Sequence, residues 1–141
     1  MRHNFTLCAE FIFLTKKKGL TMITIIAFTA LLYLLQLMLP SFTQKAGEGI
    51  TERSNKSVHN LRESLPVFFT LAILSIVLGV DENTNLAMYW LGSRIIFAVL
   101  YSTGIGKKPA AEGSSYEPQL IRSLVWMISV GLLITMTINL I

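Results

Sequence analysis

One cysteine, Cys8, and two histidines, His3 and His59, are the whole supply of thiol and imidazole in this 141-residue chain. A single thiol excludes an internal disulfide, and no Cys/His spacing of a metal site is present. Nine glycines are scattered without a phosphate-binding motif or a nucleophile elbow. Charge is also scarce, at 14% of residues, against about a quarter in soluble domains. Any chemistry must therefore fall to Arg, Tyr, Ser, Asn and Glu, which bind and polarise and do not point to a covalent enzyme intermediate. The net charge of +4 comes from basic residues in the gaps between apolar runs. That pattern reflects membrane topology and excludes nucleic acid as the expected partner.

What is abundant is hydrocarbon: 52% of residues are hydrophobic, and the mean hydropathy is +0.59. Four stretches approach the roughly 20 apolar residues that cross a hydrocarbon core of about 30 Å. They are Met22 to Leu39, Ser64 to Val80, Leu86 to Ile105 and Gln119 to Ile141. None alternates with the period of two that a membrane barrel strand requires. The expected fold is all-α, an integral membrane four-helix bundle of up-down topology with helices near 22–42, 54–80, 85–105 and 119–141. Ser75 and Gly79 form a small-xxx-small pair that permits close helix contact.

Lys45, Arg53, Lys56 and Arg62 follow the first span, and Lys107, Lys108 and Arg122 lie around the third connection, whereas the second offers only Asp81 and Glu82. Positive-inside counting puts the first and third loops in the cytoplasm. Residues 1–21 disagree, because Lys16, Lys17 and Lys18 then fall outside. Phe5 to Leu14 is too short to span, and a secretory signal carries its positive charge before its apolar region. An amphipathic arm, a segment re-entering the membrane surface and a true start at Met22 all fit; we favour the last.

Before the second span, Arg53, Lys56, Asn60 and Glu63 fall at i, i+3, i+7 and i+10, on one helical face. A solvated stripe accounts for Arg53 and Lys56 as readily as a site does. Glu63 lies one turn before an unbroken apolar run, where Pro66 deprives the Arg62 carbonyl of its helical donor. In the third span Arg94, Phe97, Ala98 and Tyr101 share a face. An arginine near a helix centre costs about 2.5 to 3.5 kcal/mol on insertion scales and usually faces the bundle interior with a partner. Glu63 is its expected counter-ion. In the fourth span Arg122 and Trp126 are i, i+4, with Ser123 beside them. Singly these are an ordinary flank and an interfacial aromatic; the signal lies in three helices each bringing a polar cluster.

Three motifs resemble the MAPEG family, the membrane-associated proteins of eicosanoid and glutathione metabolism. They are Asn60-x-x-Glu63-x-x-Pro66 preceded by Arg53 and Lys56, Arg94 followed seven residues on by Tyr101, and Arg122-Ser123-x-x-Trp126. The resemblance covers about residues 22–141 and has a bacterial character, implying an inner-membrane location. It implies four-helix subunits in a homotrimer, with glutathione as co-substrate held between subunits at the cytoplasmic ends and no metal. Cofactor-binding residues carried over are Arg53, Lys56, Asn60, Glu63, Arg94, Tyr101, Arg122, Ser123 and Trp126. Of these, Arg122, Ser123 and Tyr101 would be catalytic. Lys56 stands where relatives commonly have arginine, keeping charge but losing the planar fork. Phe97 replaces a histidine of some eicosanoid-synthesising relatives, and GKKPAAEGSSYEP lengthens the third connection.

The implied activity is a glutathione transferase or peroxidase acting on lipophilic electrophiles or hydroperoxides delivered through membrane lipid. The alternative is a non-catalytic relative that binds a lipid or a partner protein in the same groove. A small exporter is less attractive, since its first helix would need a carboxylate that Met22 to Leu39 lacks.

Overall fold

A computed structural model describes residues 2–43, 48–103 and 120–141, with side chains from residue 21 in the first helix and from residue 51 in the second. It contains α1 (Arg2–Thr43), α2 (Glu48–Leu78), α3 (Glu82–Thr103) and α4 (Leu120–Ile138). Two helices begin earlier than expected: α1 at Arg2, where a start near residue 22 was expected, and α2 at Glu48, where one near 54 was. The side chains of Lys16, Lys17 and Lys18, and the GKKPAAEGSSYEP stretch, lie outside the described residues.

Each helix contains a segment long and apolar enough to cross a membrane: Thr21–Phe42, Thr51–Leu78, Glu82–Thr103 and Leu120–Ile138. Only a narrow stripe of each faces protein. On α3 the stripe runs Asn83, Ala87, Trp90, Arg94, Phe97, and on α4 Arg122, Ser129, Leu133, Met136, both following the three-and-four spacing of a helix face. The remaining surface is apolar, with Phe28, Leu34, Val77, Tyr89, Met127 and Ile134 among many exposed large side chains. An apolar exterior this continuous is stable in lipid and not in water. The protein is an integral, multi-pass membrane protein.

The central pair is α2 and α3. Both α1 and α4 pack on this pair, and α1 makes no contact with α4 among the described residues. Phe68 of α2 stacks on Trp90 of α3, centroids 4.0 Å apart and planes 8° from parallel, at the middle of a core that includes Met22, Leu65, Leu133 and Met136.

A tight turn joins α2 to α3. Gly79 adopts φ 70°, the left-handed conformation that a side chain resists. Its N–H donates to Ile76 O and that of Val80 to Ser75 O at 2.9 Å, the two-bond Schellman closure. Gly79 is thus a helix stop, and Ser75 is not a bare helix contact. The Asn83 amide, fully buried, donates to Ser75 Oγ at 2.8 Å and to Met136 O at 3.0 Å, and accepts from Asn139 Nδ2 at 2.9 Å. One side chain therefore ties α2, α3 and the end of α4 together. With this end clamped, the polar clusters meet at the other.

Candidate functional site

The end of the bundle away from the Gly79 turn brings together the C-terminal part of α3, the start of α4 and the middle of α2. Arg122, in the first turn of α4, is 3% exposed. Its Nη2 donates to Leu100 O at 3.3 Å, and its guanidinium carbon lies 4.6 Å from the Tyr101 ring centroid. Both the carbonyl and the ring belong to α3, so α4 is held in register on α3 by its arginine. Tyr101 in turn packs on Phe97, centroids 5.2 Å apart.

Arg94 sits two turns deeper and is 2% exposed. Its Nη1 donates to Asn60 Oδ1 at 3.2 Å, and its guanidinium lies 5.3 Å from the Trp90 ring and 5.9 Å from Phe97. The expected ion pair with Glu63 is not formed. Glu63 Oε1 lies 3.2 Å from His59 Nε2 one turn back on an exposed face, because the α2 face that turns Asn60 toward α3 leaves Glu63 rotated outward. Arg94 is therefore a buried cation supported by a neutral amide and two ring faces, with its Nε unpartnered.

Two adjoining cavities open here. One, of about 380 Å³, is lined by Asn60, Phe97, Tyr101, Arg122, Ser123, Trp126 and Met127. The other, of about 310 Å³, continues from Asn60, Glu63, Arg94 and Trp126 along the apolar flank of α4 to Thr137. Asn60 and Trp126 border both. Each volume falls at the lower end of the range of small-molecule sites. The arrangement can hold a ligand with an anionic group beside Arg122 and an apolar part along α4.

Seven of the nine expected site residues thus line these cavities: Asn60, Glu63, Arg94, Tyr101, Arg122, Ser123 and Trp126. Arg53 and Lys56 line neither. Lys56 instead bonds Glu52 at 2.6 Å on an exposed face, and Arg53 is half-buried one to two turns nearer the α2 start. Ala98, expected on the face of Arg94 and Tyr101, turns to a different cavity on the far side of α3. The Leu100 carbonyl escapes sequence reasoning entirely, since every residue has one. Phe97, which its spacing puts on the face of Arg94 and Tyr101, does line the site, whereas Met127 could have been found only as the neighbour of Trp126. Among the described residues no group of three His, Cys, Asp or Glu gathers.

Four membrane-crossing helices with arginines buried around a cavity at one end define a multi-pass membrane protein with an intramembrane polar site. The chain belongs to the MAPEG family, whose model matches residues 19–141. No curated protein and no solved structure matches it.

Proposed function

We propose that this protein is a membrane-bound glutathione-dependent transferase or peroxidase, in which Arg122 stabilises the glutathione thiolate for attack on a lipophilic electrophile or hydroperoxide. The observation that carries this reading is Arg122 itself. It is buried, stacked on Tyr101 and set in the wall of a cavity that also holds Ser123 and Asn60.

Glutathione carries two carboxylates and one amine, and the surroundings of the cavity offer several cations and one carboxylate, Glu63. An ordinary thiol titrates near ~8.5, so holding it as thiolate at neutral pH means lowering its pKa by about 2, or about 2.7 kcal/mol. A guanidinium about 4 Å away at an effective dielectric near 20 supplies roughly 4 kcal/mol. Ser123 or Tyr101 donates a hydroxyl hydrogen bond to the same sulfur, Asn60 and Glu63 bind the tripeptide backbone and amine, and Arg94 holds Asn60 in place. Trp126 borders both cavities and separates cofactor from acceptor, which arrives from the bilayer.

In this reading residues 22–141 form the functional domain, the first and third connections face the cytoplasm where glutathione is abundant, and three copies assemble. Arg53 and Lys56 then reach the carboxylates of glutathione bound at a neighbouring subunit.

The test is glutathione titration and turnover in detergent micelles for wild type, Arg122→Lys and Arg122→Ala. Losing about 2.7 kcal/mol of thiolate preference predicts a fall of about 100-fold in kcat/KM for Arg122→Ala, with Arg122→Lys in between. Equal rates refute the assignment of Arg122. Wild type that binds no glutathione at millimolar concentration favours the non-catalytic alternative, a lipid- or partner-binding relative.

A further inference from the structure

On the opposite side of the α2–α3 pair lies a cavity of about 360 Å³, bounded by α1, α2 and α3, that shares no lining residue with the Arg122 site. Leu35, Ala98 and Val99 form apolar parts of its wall, and among the described residues no charged side chain lines it. Five polar side chains do: Ser102 and Thr103 of α3, half-buried and exposed, and three that are deeply buried, Gln36 of α1 and Ser54 and Ser57 of α2, only 5%, 1% and 2% exposed.

None of the three deeply buried side chains has a partner. Both amide atoms of Gln36 and the hydroxyls of Ser54 and Ser57 are buried without a hydrogen bond. Other buried hydroxyls in this bundle solve that problem within their own helix. Thr29 donates to Ile25 O at 2.8 Å, Ser75 to Leu71 O at 2.7 Å and Ser129 to Trp126 O at 2.7 Å. Ser54 and Ser57 do not take this route, and an amide inside a membrane-crossing segment cannot turn to water. Buried polar groups left unpaired are rare enough to call for a partner.

The cavity restricts what that partner is. At the roughly 30 Å³ that one water or methylene occupies, the space takes about a dozen heavy atoms. An ionised head would find no counter-charge among the described residues of the wall. Amide and hydroxyl groups both donate and accept, which suits a neutral head that does the same.

We propose that this cavity binds a neutral single-chain amphiphile from the bilayer. Its alkyl chain lies against Leu35 and Val99, and its hydroxyl, ester or amide head bonds Gln36, Ser54 and Ser57. Their polar atoms lie just behind the apolar lining, so the head reaches them through a change of side-chain rotamer. The site is independent of the glutathione reading, and either holds without the other.

Photolabelling of the full-length protein in lipid nanodiscs tests it, using three probes of equal length with a diazirine at the chain end: dodecanol, dodecane and dodecanoate. The alcohol is expected to label α1 and α3 beside the cavity about tenfold more than either other probe, the ratio of one decade in affinity. Filling the space with Ala98→Phe abolishes labelling. The triple variant Gln36→Leu, Ser54→Ala, Ser57→Ala keeps dodecane labelling and brings dodecanol down to the same level. Should Ala98→Phe fail to fold, the triple variant decides alone. Equal labelling by all three probes in wild type overturns the proposal, as does preference for the carboxylate. Absence of any label at the cavity, the result if another copy of this chain sits there, overturns it too.

Discussion

The bond between Arg94 and Asn60 makes a quantitative prediction about stability, because removing its two ends is not equivalent. Asn60→Leu leaves the guanidinium 2% exposed with its one side-chain acceptor gone. A hydrogen bond to a charged group contributes about 1.5 to 3 kcal/mol, and a stranded charge forfeits all of it. Asn60→Leu should therefore destabilise by roughly 1.5 to 3 kcal/mol. Arg94→Met removes the charge along with the bond and keeps most of the volume. Asn60, half-buried, then finds another donor, and what is lost is the contact with Trp90 and Phe97, about 1 kcal/mol. Since replacing a buried ion by a hydrophobe of similar volume is often neutral or stabilising, Arg94→Met should lie within about 1 kcal/mol of wild type. With no cation left to strand, Asn60→Leu added to Arg94→Met should cost almost nothing further. The measurement is a double-mutant cycle by reversible unfolding in mixed detergent micelles, monitored by helix content. Coupling of about 1.5 to 3 kcal/mol is expected, and additivity within about 0.5 kcal/mol refutes the reasoning.

At the other end of the bundle, Asn83→Leu removes three hydrogen bonds, two of them buried, and should destabilise by roughly 2 to 4 kcal/mol, given about 0.6 to 1.5 for each in a membrane protein; a midpoint unchanged in the same unfolding assay contradicts the clamp. Gly79→Ala meets open space around its Cβ, so its cost is that of the left-handed backbone alone, about 1 kcal/mol, and Gly79→Asn should recover part of it. Lys56→Ala breaks a pair whose side chains are 60% and 68% exposed and should change stability by less than about 0.5 kcal/mol. A larger loss in the isolated subunit shows that Lys56 does more than pair on the surface.

The four spans, their helical character and the family were legible in the sequence because each is a local or pattern property. A run such as Met22 to Leu39 cannot satisfy its backbone in lipid except as helix, whatever its neighbours do. Spacing alone put Arg94 and Tyr101 near one line on α3, and Arg122 with Trp126 on α4. The partner of each polar group was not legible, because partnership depends on how one helix is rotated against the next. Rotation of α2 by less than a third of a turn decides whether Asn60 or Glu63 meets Arg94, and packing of Phe68 on Trp90 settles it for Asn60. The same rotation turns Ser54 and Ser57 toward α1, where Gln36 meets them around a cavity no linear pattern marks. Sequence by itself determined which segments lie in the membrane and which residues carry charge there; only the tertiary structure decided which of those charges are buried, against what, and around which empty space.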